Sequence, residues 1–196
     1  NGFSNPDFNI PFEYEEKCSD ISEPTALLYA NPAYTRINGN VNLILDFGVE
    51  VLGHIQFKLW AKKGTVIDFE GFELADSKGI IHMRKNRMRY ICRDGWQEFV
   101  SFLPRGFRYL GVHISTVSQV KIAHIGIEDV SAAIEQSGDF RCNDEYINTI
   151  HKMCINTVKA CMSDTYVDCP GYEQVYWVGD AIVSSLVNLS NFGDYK

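Results

Sequence analysis

The run VNLILDFGVEVLGHIQFKLW, residues 41–60, decides the fold of this 196-residue chain. Its second half alternates apolar and polar side chains and places Ile55, Phe57 and Leu59 on one face, which is typical of a half-buried β-strand. Further β-like runs follow at intervals of about 8–12 residues, separated by Gly, Asp-Gly or Ser turns, over residues 65–72, 88–92, 98–102, 107–117 and 121–130. This spacing predicts an antiparallel β-sandwich, with a hairpin turn at Asp94 and Gly95.

The residues before this run show no regular period. Prolines at positions 6, 11, 24 and 32 break any long element, so we predict an irregular lead-in segment over residues 1–38. The β-sandwich domain is then assigned to residues 39–136. The chain is long enough for such a domain to bury a sizeable core.

After residue 136 the apolar residues recur with a helical period instead of alternating. Asn143 is a suitable N-cap, and apolar positions at helical spacing continue to about Met162. A second helix is predicted from about Trp177 to near Gly193, a suitable C′ residue. This second helix is apolar on more than one side, so it requires neighbours on several sides. Residues 137–196 are therefore predicted to form one helical hairpin that packs against further neighbours.

Composition and charge exclude several classes of partner. The formal net charge of −7 predicts neither nucleic acid nor an anionic membrane surface as a partner, because neither is attracted to a negative protein. The histidines show no metal-ligand spacing and no phosphate-binding glycine loop is present, so no metal site and no cofactor are predicted. An oligomer is compatible with the sequence.

Six cysteines bear on the compartment of the protein. They form no C-x-x-C pair, which argues against a zinc or thioredoxin-type site. Cys154 and Cys161 lie about 10 Å apart if both are on one helix, too far for a disulfide. Free thiols and the absence of a visible signal peptide favour a reducing, cytoplasmic location. The cysteines are Cys18, Cys92, Cys142, Cys154, Cys161 and Cys169.

The acidic stretch DCPGYEQVYWVGD, residues 168–180, is the candidate functional segment. Asp168 and Asp180 flank Glu173, which follows a Pro-Gly break and is therefore expected on a loop at the start of a helix. Carboxylates supply general-acid chemistry and hydrogen bonds to hydroxyl groups, while Trp177 offers an apolar ring face to a sugar. Composition alone is equally compatible with a solvated acidic face.

This stretch resembles the signature of the bacterial α-L-rhamnosidases, glycoside hydrolase family 78, which reads approximately D-C-P-x-R-E-R-x-G-W-x-G-D. Three positions depart from it, since Tyr172 and Gln174 replace arginines and Tyr176 replaces a glycine. One of those arginines helps to hold the sugar in the family. Seven positions match in register: Asp168, Cys169, Pro170, Glu173, Trp177, Gly179 and Asp180.

Two shorter motifs extend the resemblance toward the N-terminus. Asp46, Phe47, Gly48 and Gly53 match a strand-turn of the form D-F-G-x-x-x-x-G, and residues 106–109 match a G-F-R-Y motif. Phe107 and Tyr109 are equally typical of core packing, and Arg108 of a structural ion pair. The resemblance implies a mixed fold of β followed by α, in which an antiparallel β-sandwich precedes an (α/α)₆ barrel of six hairpins.

The family's activity is implied in the same way. The resemblance assigns Glu173 as the general acid of an inverting hydrolysis of terminal α-L-rhamnosides, with a rhamnose-containing oligosaccharide or glycoside as substrate. Asp168, Asp180 and Tyr172 would bind the sugar and Trp177 would form a wall. The family's general base would lie beyond Lys196, with the remainder of the barrel. The chain is therefore interpreted as a fragment of a longer enzyme and is expected to be inactive alone.

Two alternatives remain open at this point. The departures at Tyr172 and Gln174 are compatible with another glycosidase of the same barrel type that acts on a different sugar. The sandwich is also compatible with a non-catalytic carbohydrate-binding or interaction module, because such folds often carry binding faces. The carboxylate cluster favours the enzyme over the module.

Overall fold

Ten strands followed by two helices make up the part of the chain that the computed structural model describes, residues 20–23, 27, 33–76, 79–80 and 86–193. The strands are β1 (Asp20–Ser22), β2 (Thr35–Asn38), β3 (Val41–Ala61), β4 (Val66–Phe72), β5 (Ala75–Asp76), β6 (Gly79–Ile80), β7 (Arg87–Ile91), β8 (Gly95–Val100), β9 (Arg105–Ser115) and β10 (Gln119–Asp129). The helices are α1 (Glu145–Ala160) and α2 (Val178–Asn191).

The long strand β3 organises the β part of the molecule. It is 21 residues long; its first half pairs with β9, and its second half pairs with β10 on one side and β8 on the other. The hydrogen-bonded order is β1-β2-β10-β3-β9-β4-β7, with β8 added beside β3, and every pairing is antiparallel. Strands β5 and β6 form a separate two-stranded ladder.

Strand β3 contains one bulge in its pairing with β9. The register with β9 shifts between Asp46 and Val51, and Gly48 within this interval has φ +79°. Asp46 Oδ1 accepts a hydrogen bond from the Gly48 amide at 2.8 Å, which stabilises the bulge. A left-handed glycine bends a bulged strand. Beyond the bulge β3 pairs with β9 again from Val51 to Gly53, and then continues between β10 and β8.

The two layers enclose one aromatic core, which confirms the predicted sandwich. Phe57, on the second half of β3, stacks on Phe69 of β4 with ring centroids 5.4 Å apart, although β3 and β4 are separated by β9 in the sheet. Tyr90 of β7 meets Phe57 edge-on at 4.9 Å. Both phenylalanines are almost completely inaccessible to solvent. Burial of such rings is the main favourable contribution to folding here.

The turn at Asp94 and Gly95 is not the predicted hairpin. It joins β7 to β8, but β7 pairs with β4 and β8 pairs with β3, so the turn connects the two layers. The buried Gln97 side chain replaces the missing ladder by bonding to the Arg93 amide at 3.1 Å and to the Arg93 carbonyl at 3.0 Å. The dipeptide signal identifies a tight turn but does not determine which strands pair across it.

Two short strands at one end of the sheet order correct the prediction for residues 1–38. We expected that segment to be irregular, but β1 and β2 lie within it, and β2 pairs with β10 from Gln119↔Asn38 to Ile122↔Thr35. Strands of three and four residues are too short to show an alternating pattern, and they form because a sheet edge is available. Residues 1–19, including Cys18, lie outside the described residues.

The helices begin and end close to the predicted positions. The N-cap of α1 is Asp144 and not Asn143, and its carboxylate accepts a hydrogen bond from the Tyr146 amide at 2.9 Å. Helix α2 is followed by Gly193, which has φ +67° and donates its amide proton to the Asn188 carbonyl, so the predicted C′ residue is confirmed. Neither described helix is long and apolar enough to cross a membrane.

A small apolar cluster joins the helices to each other and to residues 132–134. Ile155 and Val158 of α1 pack with Met162 and with Phe192 at the end of α2. Asn188 Nδ2 donates to the Tyr166 hydroxyl at 2.7 Å and ties α2 to the loop after α1. Five described cysteines are free thiols: Cys92, Cys142, Cys154, Cys161 and Cys169.

Candidate functional site

The acidic signature forms a closed loop between α1 and α2. The Asp168 amide donates to the Val175 carbonyl at 3.0 Å, and Asp168 Oδ1 accepts from the Val175 amide at 2.9 Å. The loop is attached to the end of α1 by the hydrogen bond from the Val167 amide to the Cys161 carbonyl, at 2.9 Å. These bonds bring residues 168 and 175 together and leave the intervening residues as a projecting turn.

Asp168 contributes to this closure through its carboxylate. Oδ1 is bonded to Val175, and Oδ2 accepts a hydrogen bond from the Cys169 thiol at 3.3 Å. Burial acts to raise the pKa of Asp168, but the hydrogen bonds from the Val175 amide and from Cys169 outweigh it and lower the pKa below its usual value. Asp168 is thus an ionised group that shapes the loop from within, and its predicted contact with sugar stays a prediction.

Glu173 and Trp177 are brought together on the outside of the loop. The indole Nε1 of Trp177 donates to Glu173 Oε2 at 2.9 Å, and both side chains are exposed, Trp177 by 51%. Trp177 is the N-cap residue of α2 and has extended backbone angles, which directs the chain away from the helix axis. The result is a carboxyl group with a fixed orientation beside an aromatic ring at the surface.

Tyr172 and Asp180 lie on either side of this pair in sequence. Both are exposed, and Asp180 is in the first turn of α2, where the helix dipole favours a negative charge. Within the described residues no hydrogen bond links either side chain to Glu173. The structure therefore pairs Glu173 with Trp177 directly, and places Asp168, Tyr172 and Asp180 on the same loop and helix start.

Sequence reasoning missed the part of the site that comes from the sandwich. Pro170 and Gly171 of the loop are buried, and the Pro170 backbone lies directly on Gly106 of β9. Gln174, at φ +54°, donates its side-chain amide to the Pro170 carbonyl at 2.6 Å. The available signal was the glycine of the G-F-R-Y motif, because a glycine within a strand often marks a site where another backbone approaches closely.

The two short motifs meet side by side on β3 and β9. Arg108 makes a bidentate ion pair with Asp46, with Nε–Oδ1 at 3.0 Å and a second nitrogen 3.1 Å from Oδ2. Hydrogen bonds from Arg108 and the Gly48 amide lower the pKa of Asp46. Phe107 is fully buried and meets Phe47 edge-on at 5.5 Å. The interpretations of Arg108 as an ion-pair partner and Phe107 as a core residue are confirmed.

Among the residues that the structure describes, there is no group of three or more His, Cys, Asp or Glu side chains that could hold an ion.

Two family profiles match adjoining parts of the chain. Residues 36–130 match the bacterial α-L-rhamnosidase concanavalin-like domain, and residues 135–196 match the bacterial α-L-rhamnosidase six-hairpin glycosidase domain. The first match contains the two short motifs and the second contains the acidic loop with both helices.

Individual proteins agree with these profiles. An α-L-rhamnosidase of Formosa agariphila is 25% identical over 169 residues, which is 78% of this chain and 17% of that protein. The crystal structure of a GH78 family rhamnosidase of Bacillus sp. GL1 superimposes with a TM-score of 0.81 at 38% identity, over 87% of this chain and 19% of that one. A rhamnosidase from Klebsiella oxytoca with rhamnose bound shares the fold, with a TM-score of 0.69 at 19% identity over 81% of this chain and 34% of that one.

Proposed function

Because the chain belongs to the bacterial α-L-rhamnosidase family, we propose that it is part of an inverting glycoside hydrolase that acts on terminal α-L-rhamnosides. The relatives named above support the substrate, since all three are rhamnosidases and the structure of one of them holds rhamnose. The substrate is a rhamnose-containing glycoside or oligosaccharide. The sandwich and the hairpin are the described parts of this enzyme.

The general acid of the proposed reaction is Glu173. The single observation that carries this assignment is the hydrogen bond from Trp177 Nε1 to Glu173 Oε2, on an exposed loop at the position where the family signature has its glutamate. An indole N–H can donate to Oε2 whether or not the carboxyl group is protonated, so it holds the orientation throughout the reaction. Oε1 then carries the proton that is delivered to the leaving oxygen.

The remaining residues of the loop bind and shape the sugar. Trp177 presents an apolar ring beside Glu173, which suits the C–H face of a pyranose. Asp180 and Tyr172 are exposed on the same segment and supply hydrogen bonds to sugar hydroxyl groups. Asp168 contributes by keeping the loop closed through Val175, and its charge adds to the sugar-binding surface.

The general base comes from a part of the enzyme outside this chain. An inverting mechanism requires a second carboxylate about 6.5–9.5 Å from the acid, with a water molecule between the base and the sugar. The chain spans only 17% and 19% of the Formosa and Bacillus relatives, which supports a longer protein whose barrel supplies that group. The apolar residues exposed on α2 support the same proposal, since they suit further helices of a barrel.

Replacing Glu173 by glutamine in the full-length enzyme tests this function. Glutamine keeps the size of the side chain and accepts the Trp177 hydrogen bond, but it cannot donate a proton to the leaving oxygen. We expect kcat on methyl α-L-rhamnoside to fall by roughly 10²–10⁴-fold, with a smaller loss on p-nitrophenyl α-L-rhamnoside, whose leaving group needs little protonation.

The matched control is Glu128→Gln, at an exposed glutamate on β10 in the sandwich. It makes the same chemical change far from the loop in sequence and should leave both rates at the wild-type level. A Glu173→Gln enzyme that hydrolyses methyl α-L-rhamnoside at nearly the wild-type rate would remove Glu173 from the acid role.

A further inference from the structure

We propose that Gly106, a residue of the sandwich, is a positioning residue for Glu173. Because Gly106 has no side chain, it leaves a space on β9, here called the seat, which the Pro170 backbone occupies. This contact sets the position of the loop formed by residues 168–175. The inference rests on the proposed function, because it assumes that the position of Glu173 matters for proton delivery.

The seat exists because Gly106 has no side chain. A Cβ built on Gly106 would overlap the carbonyl carbon and oxygen of Pro170 and would lie 2.5 Å from its Cβ. Real Cβ atoms essentially never approach other heavy atoms so closely. Two of the three overlapping atoms are backbone, so no change of rotamer can relieve the clash, and either the loop or β9 has to move. Gly106, Pro170 and Gly171 are all buried.

The backbone of Gly106 is held in position by a buried asparagine. Asn86, only 3% exposed, donates its side-chain amide to the Gly106 carbonyl at 2.8 Å. The Asn86 carbonyl in turn accepts the Gly71 amide of β4 at 2.9 Å. Phe107, beside Gly106, is fully buried in the sandwich core. A displacement of β9 at this point would break a buried hydrogen bond and disturb the core, so the loop is the element that yields.

The loop transmits the position of Pro170 to Glu173. The Pro170 carbonyl accepts the Gln174 side-chain amide at 2.6 Å, and the Glu173 amide donates to Cys169 Sγ at 3.2 Å. Glu173 is thus held by its own bond to Cys169 and by the bond of the next residue, Gln174, to Pro170. The hydrogen bonds within the loop determine its conformation. The contact at the seat determines the distance and orientation of the loop relative to the sandwich.

The test compares Gly106→Ala with Gly111→Ala in the full-length enzyme. Both residues lie on β9, but a Cβ on Gly111 would have its nearest contacts at 3.5 Å, an ordinary van der Waals distance. We expect Gly106→Ala to lower kcat on methyl α-L-rhamnoside on the order of 10²-fold, the loss that a misplacement of about 1 Å causes, and to lower kcat on p-nitrophenyl α-L-rhamnoside much less. Gly111→Ala should leave the ratio of the two rates unchanged.

The ratio of kcat on methyl α-L-rhamnoside to kcat on p-nitrophenyl α-L-rhamnoside distinguishes a positioning effect from a loss of stability. A variant that is merely less stable has less active enzyme and loses the same factor on both substrates, so equal losses for Gly106→Ala would overturn the proposal, as would unchanged rates. If Gly106→Ala does not fold, Asn86→Ala removes the bond to the Gly106 carbonyl without adding an atom to the seat. It should shift the ratio in the same direction, and an unshifted ratio would equally overturn the proposal.

Hydrogen–deuterium exchange keeps this inference distinct from the proposed function. In Gly106→Ala the amides of residues 168–175 should exchange faster than in wild type, whereas Gly111→Ala should leave them unchanged. If exchange is faster in Gly106→Ala but the Glu173→Gln enzyme remains active, the role of Gly106 in positioning the loop is retained and Glu173 is rejected as the acid. Unchanged exchange in Gly106→Ala would reject the seat even if Glu173→Gln abolishes activity.

Discussion

At the scale of single residues, Glu50 is the most unusual ionisable group of the sandwich. It lies on β3 within the interval of shifted register, it is only partly exposed, and among the described residues its Oε1 atom is buried without a hydrogen-bond partner. Burial, with a smaller contribution from the charge of Glu73, raises the pKa of Glu50 to about 8. Burial also raises the pKa of Glu73. Glu50 is therefore mostly protonated in the folded protein at neutral pH.

This residue makes stability depend on pH. Above the ordinary glutamate pKa of 4.5 the unfolded chain releases the proton of Glu50, while the folded chain keeps it until about pH 8. Stability is therefore fully present below about pH 4.5 and falls as the pH rises toward 8. Glu50→Gln should reduce the difference in unfolding free energy between pH 5 and pH 8 by about 1–2 kcal/mol, allowing for partial exposure.

Urea denaturation at the two pH values checks this, with the exposed Glu128→Gln as the matched control. A Glu50→Gln protein that loses as much stability between pH 5 and pH 8 as the wild type would contradict the assignment.

The residue scale also shows what the acidic segment alone could predict. Glu173 and Trp177 both follow the Pro-Gly break and were selected as candidate residues through the family signature, but the hydrogen bond between them was not predicted. The role of Asp168 in closing the loop was not visible, because its partner is the backbone of Val175 and any residue type can occupy that position. Backbone partners leave no trace in side-chain patterns.

At the scale of elements, the start of α1 depends on one side chain. Asp144 accepts the Tyr146 amide hydrogen bond at the first turn, whereas the neighbouring Asn143, which we predicted as the cap, is not the N-cap. Asp144→Ala should destabilise the protein by about 1 kcal/mol, and Asn143→Ala by much less. Thermal unfolding of the two single variants, side by side, measures the difference. Equal effects would show that the cap geometry is not what stabilises this helix.

Pattern reasoning predicted elements better than it predicted their pairing. The alternation in residues 55–59 and the helical spacing after residue 143 reflect which faces are buried, so both could be predicted from the sequence. The layer change at Asp94 and Gly95 could not, because the choice of pairing partner depends on which apolar face packs against which layer. The short strands β1 and β2 also exist through their partners and have little preference of their own.

At the scale of the whole molecule, the helical hairpin presents a large apolar surface. Ile182, Val183 and Leu186 on α2 are each more than half exposed, as is Met153 on α1. Contiguous exposed apolar surface of this kind marks an interaction site, and the remaining hairpins of the barrel would cover it. The described hairpin is therefore expected to lack a closed substrate pocket unless the rest of the barrel is present.

The corresponding prediction concerns the isolated chain. Expressed as these 196 residues, it should hydrolyse p-nitrophenyl α-L-rhamnoside negligibly compared with the full-length enzyme at equal molar concentration, because the proposed mechanism places the general base and the rest of the barrel outside this chain. A continuous release assay for p-nitrophenol measures this. Turnover by the isolated chain that Glu173→Gln abolishes would show that the chain contains a complete active site.

The order of the two halves and the family could be predicted from the sequence because their motifs are local. The contact between the halves could not, since Gly106 and Pro170 are far apart in sequence, and a glycine within a strand can indicate a close approach without identifying the segment that approaches. Long-range backbone contacts are the information that a single sequence holds least directly.

The contact between Gly106 and Pro170 also limits how such enzymes can be recombined. The two profile matches are separated by a short connection after residue 130, where the sandwich of one relative could be joined to the helical domain of another. A donor sandwich with any side chain at the position of Gly106 would collide with the incoming Pro170 backbone. We therefore expect a chimera to keep this contact only if it has a glycine at that position together with the Pro-Gly loop, so the two halves cannot be exchanged independently.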